Sequence, residues 1–361
     1  MACDCARQVA IAALAFVACV GIGAQTPHPA PTFRSEIDLV QIPVRVLDAR
    51  GEFVGGLTQS DFQVFEDGQP QTVTAFSEID IPFVPAGAAQ PTMVSEVEEP
   101  IASSEVLHVE GRAYVFVLDN QNMPAAVALK TRHLMRRLIR DSFAANDVAA
   151  LVLTGTGRGQ SFTSSQRLLN EAIDRLMSDA DPSDNSPDTV MQKIADTAQW
   201  MGNTITGRRK ALVLITPSWI CQLANTNLKN FSNCNDAARY ALRITVRSDV
   251  SIYTIDPRGI AATHGSPAEF ADRSERSTVV VRGPLDAARY LAEESGGFAV
   301  LNSNSLDTGF ARVMRENSAY YLLGYYSTNT RADGEFRRHK IVVSGARVRV
   351  VYRNGYLASR Q

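Results

Sequence analysis

From residue 113 onward, short apolar segments alternate with amphipathic ones, and this alternation constrains the fold more than any other feature of the sequence. The apolar segments have the length of buried strands and cover residues 113–119, 147–154, 210–216, 250–256 and 297–301. The segments with helical periodicity cover residues 125–140, 165–177, 189–205, 235–247, 286–295 and 305–318. Buried strands that alternate with helices form mostly parallel sheets covered on both faces. We therefore predict a doubly wound α/β core, with a short edge strand near residues 160–162.

Antiparallel β structure is predicted on both sides of this core. Residues 37–46 alternate apolar and polar side chains, as in a half-buried strand, and Asp67-Gly68 is a hairpin signal with a return strand at 73–76. Further strands are predicted at 320–326, 339–343 and 348–353. The predicted divisions are a small β domain at 36–79, a linker at 80–110, the α/β domain at 111–318 and a β extension at 319–361.

The N-terminus has the features of a secretory signal peptide. Arg7 precedes an apolar run at 9–20, and small residues follow it. We predict a signal peptide at 1–24 and a flexible lead-in at 25–35, because the run is shorter than the roughly 20 residues that span a bilayer. A retained anchor and acylation at Cys19 are the alternatives. The predicted location is the periplasm or the outside of the cell.

Two cysteines, Cys221 and Cys234, follow the predicted signal peptide. In an exported protein such a pair can form a disulfide that closes a loop, and two free thiols are the alternative. The net charge of -2 provides no basic field for nucleic acid. Beyond the signal peptide, no stretch is apolar enough to cross a membrane.

Several segments together resemble the bacterial VWFA-related domain family of the acidobacterial type, which is von Willebrand factor A-like. They are "VRVLDARGEFVGGLTQSDFQVFEDGQPQTVTAF", "YVFVLDNQNMP", "GRRKALVLIT", "VSIYTIDPRGI", "LAEESGGFAVLNSN" and "SAYYLLGYY", followed by "DGEFRRHKIVV" and "VRVVYRNGY". They occur in the family's order over most of the chain. The resemblance implies an exported protein with a von Willebrand factor A-type core and a β unit on each side. Biochemical roles in this family are largely unassigned.

The resemblance also implies where a cation would bind. Von Willebrand factor A domains often hold Mg²⁺ at a metal-ion-dependent adhesion site, built from Asp-x-Ser-x-Ser, a later threonine and an aspartate after the fourth strand. Here the first motif aligns to Asp119, Gln121 and Met123. The aspartate is kept, but an amide and a thioether replace the two hydroxyls, and soft sulfur does not suit Mg²⁺.

The rest of the implied cation site is also incomplete. The fourth strand ends in Thr216-Pro217-Ser218, where the family pattern has an aspartate. The remaining candidate metal ligands are Asp119, Gln121 and Thr154, with Thr156 or Thr163 as alternatives for the threonine and Asn122 as a substitute ligand. We predict a degenerate site that binds Mg²⁺ weakly or not at all, and no other cofactor. The alternative role of Asp119 is a carboxylate that caps the following helix or bonds loop amides.

Ligands of open parallel sheets bind beside the carboxyl ends of the strands. The residues predicted to form a partner-binding rim there are Asn120, Asn122, Thr156, Ser218 and Arg258. Nucleotide-binding and G-x-S-x-G patterns do not occur in the sequence, and its five histidines are far apart along the chain. We therefore predict a non-catalytic interaction or scaffold module with an unidentified protein partner. The alternatives are a Mg²⁺-dependent adhesion domain that binds a partner carboxylate through Asp119, and a hydrolase that matches no known pattern.

Overall fold

The computed structural model describes residues 39–81, 111–176, 187–217, 228–259, 284–331, 333–345 and 347–358, which belong to one compact unit, Asp38–Gln361. Side chains at 187–188, 228–235 and 284–286 are not described. The predicted signal peptide, the lead-in and almost all of the predicted linker lie outside the described residues. No described helix has the length and apolar character needed to cross a membrane.

The described elements follow the predicted order. The N-terminal strands are β1 Leu39–Leu47, β2 Phe62–Glu66, β3 Gln69–Gln71 and β4 Val73–Asp80. The α/β layer contains β5 Gly111–Leu118, α1 Ala125–Ser142, β6 Val148–Leu153, β7 Gln160–Thr163, α2 Gln166–Asp174, α3 Pro187–Thr204, β8 Arg208–Ile215, α4 Leu228–Arg247, β9 Val250–Ile255, α5 Pro284–Glu294, β10 Ala299–Val300 and α6 Leu306–Glu316. The C-terminal strands are β11 Ala319–Tyr326, β12 Phe336–Val343, β13 Arg349–Val351 and β14 Gly355–Leu357.

The α/β layer is built on a six-stranded sheet with the order β10-β9-β8-β5-β6-β7. Neighbouring strands are parallel except at the edge, where β7 runs antiparallel to β6. Counted from β5, this is the doubly wound order 3-2-1-4-5-6. The prediction of a mostly parallel α/β core with an extra edge strand near residues 160–162 is confirmed.

Apolar residues on both faces of β5 explain why helices cover the sheet on two sides. Successive side chains of a strand point to opposite faces. Phe116 belongs to the apolar cluster that includes residues of α1, α2 and α6, whereas Val117 belongs to the one that includes residues of α3, α4 and α5. All eight residues of β5 are buried, and each large apolar side chain buried in this way contributes about 1.5–3 kcal/mol.

The β segments before and after the α/β layer share two sheets. One has the order β13-β1-β11-β4 and the other has the order β14-β12-β2-β3. In the first sheet, β1 runs antiparallel to β11, with Leu39 opposite Tyr326 and Val44 opposite Tyr321. A common apolar core joins the two segments. The segments predicted as a small β domain and a β extension therefore form one sandwich, although the sequence predicted them separately.

The predicted hairpin is present, but its return strand is different from the prediction. Asp67 and Gly68 both have positive φ (47° and 83°), which suits a tight two-residue turn. The strand that returns beside β2 is Gln69–Gln71. The predicted return strand at 73–76 is wrong, because those residues belong to β4 and pair with β11 in the other sheet. Alternation of apolar residues predicts a strand and its buried face, but not which strand it will pair with.

Candidate functional site

The carboxyl ends of four parallel strands meet at one edge of the α/β sheet. Asp119 follows β5, Thr154 follows β6, Thr216 follows β8 and Asp256 follows β9. Because β5 lies between β6 and β8, Asp119 is within reach of the residues that follow both neighbours. The order of the strands thus brings together residues that are far apart in the sequence.

Asp119 accepts hydrogen bonds on both of its carboxylate oxygens. Thr154 Oγ1 donates to Oδ1 at 2.9 Å, and Thr216 Oγ1 donates to Oδ2 at 2.6 Å. Asn122 Nδ2 donates to both oxygens, at 2.9 and 3.1 Å. Asp119 has no solvent exposure (0%). We call these four side chains the Asp119 cluster.

The hydrogen-bond donors of the Asp119 cluster carry no formal charge. Burial raises the pKa of Asp119, while the hydrogen bonds from Thr216, Thr154 and Asn122 act in the opposite direction. The side chain does not cap a helix, although Asp119 precedes a short 3-10 helix at Asn120–Asn122. Of the two alternative roles, helix capping is wrong, because Asp119 forms no side-chain capping bond, whereas the hydrogen bond from the Asn122 backbone agrees with a carboxylate that bonds loop amides.

The Asp119 cluster does not fit a Mg²⁺ ion as it stands. Mg²⁺ requires a near-octahedral set of oxygen ligands, and the cluster offers one carboxylate. The Asn122 amide nitrogen lies within 2.9 and 3.1 Å of the two carboxylate oxygens, so a positive N–H end faces the oxygens that would bind a cation. Met123, which aligns with a family ligand, is fully buried. In the described part of the chain, no three His, Cys, Asp or Glu side chains are grouped for a metal.

Asn120 lies beneath the predicted rim and not on it. It is only 1% exposed. Its Nδ2 donates to the Thr156 carbonyl at 2.9 Å, and its Oδ1 accepts from the Gly155 backbone N–H at 2.9 Å. Asn120 therefore joins the loop after β5 to the loop after β6. Thr156, in the loop after β6, is exposed, and Asn122, in the loop after β5, is half-buried.

Arg258 lies at the end of β9 and is paired with a residue of its own turn. Its Nε and Nη2 donate to Asp256 at 3.0 and 2.8 Å, and its backbone N–H also bonds that carboxylate. Asp256 is buried and Arg258 is half-buried.

Two other predicted site residues add no described exposed surface. Ser218 lies outside the described residues, so its place in the rim stays a prediction. Gln121 is buried at 9% exposure and does not contribute an exposed surface.

Sequence reasoning named Thr216 as a strand end but missed its hydrogen bond to Asp119. It also missed the role of Asp256 in orienting Arg258. A signal for both existed, because each residue directly follows a buried strand.

The predicted disulfide between Cys221 and Cys234 is not tested. Cys221 lies outside the described residues, and the side chain of Cys234 in α4 is not described. It stays a prediction.

Comparison with known proteins gives structural similarities only. No protein-family model matches the chain, and no curated protein matches it. An aerotolerance-related membrane protein from Bacteroides fragilis is 18% identical with a TM-score of 0.36, covering 57% of this chain and 100% of that one. BatB from Bacteroides thetaiotaomicron is 17% identical with a TM-score of 0.33, covering 57% and 97%. The vWF domain of the type V pili tip protein Mfa5 from Porphyromonas gingivalis is 10% identical with a TM-score of 0.37, covering 58% and 95%. At these values the similarities do not assign a role to the chain.

Proposed function

We propose that this chain is an exported, non-catalytic von Willebrand factor A-like interaction or scaffold module. Its rim binds a protein partner without a bound metal ion, through a degenerate form of the metal-ion-dependent adhesion site. One observation carries the proposal: neutral donors satisfy both oxygens of the buried Asp119 carboxylate. These hydrogen bonds use the carboxylate oxygens that a cation would need, which supports binding without a metal ion.

The hydrogen bonds of the rim hold its loops in place before a partner arrives. Asn120 connects two of the loops, and the Asp119 cluster connects the ends of three strands. A preorganised surface loses less conformational entropy on binding. The exposed Thr156 and Arg158 present a hydroxyl and a guanidinium group, while Asp256 holds the half-buried Arg258 beside them. These groups favour a polar partner surface that accepts hydrogen bonds.

Partner binding at the rim is tested by a matched pair of substitutions. Thr156→Tyr adds bulk to the exposed loop after β6. Thr204→Tyr adds the same bulk at the exposed C-terminal end of α3, which precedes β8 and therefore lies at the opposite end of the sheet. We expect Thr156→Tyr to reduce capture of the partner from the native envelope fraction and Thr204→Tyr to leave it unchanged. Equal capture by both variants would contradict a partner surface at the rim.

Metal independence is tested by thermal melting of the full chain with Mg²⁺, Mn²⁺ or EDTA. A ligand that binds only the native state raises stability by RT ln(1 + [L]/Kd), so binding at 100 times Kd adds about 2.7 kcal/mol. We expect no shift of the melting midpoint at millimolar Mg²⁺. A shift that disappears in Asp119→Ala would establish the Mg²⁺-dependent adhesion function instead.

A screen of the full chain against hydrolase substrates tests the proposal that the protein is non-catalytic. Turnover of any substrate would contradict it.

A further inference from the structure

A cleft of about 460 Å³ lies between the first sheet of the sandwich and the C-terminal half of α6. Five arginines line it, together with two glutamates and a few apolar residues that include Leu47 and Phe53. The arginines are Arg45, Arg50, Arg312, Arg315 and Arg349. We call this the arginine cleft. Its residues take no part in the rim.

The arginines of the cleft come from four separate places in the fold. Arg45 lies on β1, and Arg50 lies in the turn that follows β1. Arg312 and Arg315 are three residues apart on α6, which places them on the same side of that helix. Arg349 begins β13 and pairs with Leu47 of β1. The sandwich and the helix each bring cationic side chains to the same space.

The acidic residues of the cleft neutralise only part of its positive charge. Glu316 contacts both Arg45 and Arg312, with Arg312 Nε 2.7 Å from Glu316 Oε1. Glu52 Oε1 lies 3.4 Å from Arg315. Five arginines and two glutamates leave the lining with a charge of 5 − 2 = +3, in a chain whose net charge is -2.

Two guanidinium groups at the mouth of the cleft are available for a ligand. Within the described part of the chain, the side chains of Arg50 and Arg349 form no ion pair or hydrogen bond. Both residues are exposed. On the α6 side of the cleft, the guanidinium carbon of Arg312 lies 3.8 Å from the ring centroid of Phe298, a contact that favours one position of the planar group.

The positive groups of the cleft repel one another. Burial is the main cause that lowers the pKa of Arg312, and Arg349 and Arg315 lower it further. Burial also lowers the pKa of Arg45 to about 10, and Arg209, Arg312 and Arg349 add to that effect. An anion placed between these groups would relieve their repulsion.

We propose that the arginine cleft binds a small anion with two or more oxyanion groups, either phosphates or carboxylates. Guanidinium groups bind both kinds of oxyanion through paired N–H donors. The volume of about 460 Å³ lies within the roughly 300–1,000 Å³ typical of small-molecule sites. Leu47 and Phe53 add apolar surface for the part of the ligand between its charged groups. The site is independent of the proposed rim function.

Isothermal titration of the full chain tests the arginine cleft, with pyrophosphate and citrate as probes at constant ionic strength and without divalent cations. Arg50→Gln and Arg349→Gln remove exposed guanidinium groups, so folding should be retained, and a melting curve checks this. Arg175→Gln, an exposed arginine at the end of α2 and outside the cleft, is the matched control. A hydrogen bond to a charged group is strong enough that each cleft variant should weaken binding about tenfold or more.

The result expected is saturable binding of at least one probe, weakened in both cleft variants and unchanged in Arg175→Gln. The probe that binds more tightly identifies phosphate or carboxylate as the preferred group. The proposal is overturned if neither probe binds saturably at millimolar concentration. It is also overturned if the cleft variants bind as tightly as Arg175→Gln, because the anion would then bind elsewhere.

Discussion

The two ends of strand β5 each bury an aspartate, but with different partners. Near the amino end, Arg112 donates from Nε and Nη2 to the two oxygens of Asp147, at 2.7 Å each. Both side chains of that pair are almost completely buried (2% and 0% exposed). At the carboxyl end, the side chains that donate to Asp119 within the described part of the chain are those of Asn122, Thr154 and Thr216, and all three are neutral.

The two aspartates differ in the charge of their partners, and we interpret this as a structural role for Asp147 and a candidate functional role for Asp119. The Arg112–Asp147 pair balances its charge internally, and Arg112 Nη1 also bonds Ser318 Oγ at 2.5 Å, just before β11. That pair connects the α/β layer to the sandwich. The Asp119 cluster lies instead where open parallel sheets bind their ligands, and it organises loops with exposed residues. We therefore expect the first end to govern stability and the second end to govern binding.

The largest effect is expected from breaking the ion pair at the amino end of β5. Arg112→Met leaves Asp147 buried without its cation, so the free energy of unfolding should fall by about 3–5 kcal/mol. Chemical denaturation measures this loss. The double variant Arg112→Met/Asp147→Leu should recover much of it, because neither charge remains. A single variant that loses less than about 1 kcal/mol would show that the pair does not stabilise the fold.

A buried histidine of the sandwich makes the stability of the protein depend on pH. Burial lowers the pKa of His339 to about 3, below the ordinary value of about 6.5. The unfolded chain therefore takes up the proton first as the pH falls, and stability present above pH 6.5 is lost between about 6.5 and 3. The loss from this group is at most about 4–5 kcal/mol. The free energy of unfolding, measured by chemical denaturation at several pH values in this range, should depend less on pH in His339→Gln. His133→Gln, at an exposed position on α1, is the control variant.

A smaller effect is expected from removing one donor of the Asp119 cluster. Thr216→Val keeps the shape of the side chain but removes the 2.6 Å hydrogen bond to Asp119 Oδ2. Hydrogen bonds to charged groups contribute about 1.5–3 kcal/mol, so unfolding should become easier by that amount. Thr163→Val, at the end of β7, is the matched control and does not touch Asp119. Equal losses in the two variants would mean that the cluster adds no specific stability.

The smallest effect is expected from a solvent-exposed arginine–aspartate ion pair. Arg137 on α1 lies 2.5 Å from Asp307 on α6, with about half of each side chain exposed (52% and 53%). Arg137→Gln should change the free energy of unfolding by less than about 1 kcal/mol, because solvent screens exposed pairs. A loss comparable to that of Arg112→Met would show that burial is not what separates the two pairs.

The sequence predicted the α/β core well because each strand of that core is defined by its own residues. The run at 113–119 is apolar on both faces, as a central parallel strand requires, and it became β5 at Gly111–Leu118. Boundaries were less accurate than the existence of the elements. The helix predicted from 235 begins at Leu228, and the prediction overlooked that Leu228, Phe231 and Cys234 already follow a spacing of three. The pairing of β1 with β11 could not be predicted, because it joins segments far apart along the chain.

The candidate site was predictable in part. Asp119 and Thr154 follow buried strands, and the resemblance to a family implied both as metal ligands. The sequence therefore predicted that they lie in the same site. Thr216 was missed as their partner because a threonine stood where the family pattern has an aspartate. The arginine cleft had no sequence signal, since its residues are spread from Arg45 to Arg349 and only the sandwich brings them together.

The sharing of sheets by β1 and β11 has a consequence for how the protein is made. The first strand is complete at Leu47, but its neighbour ends at Tyr326. At typical synthesis rates of 5–20 residues per second, roughly 15–55 s separate the synthesis of the two strands, and in a chain that is exported before it folds they pair later still. During this interval the hydrogen-bonding edges of β1 are open to other chains, a known route to aggregation. Recovery of folded protein should therefore depend on chaperones that shield the nascent N-terminal strands.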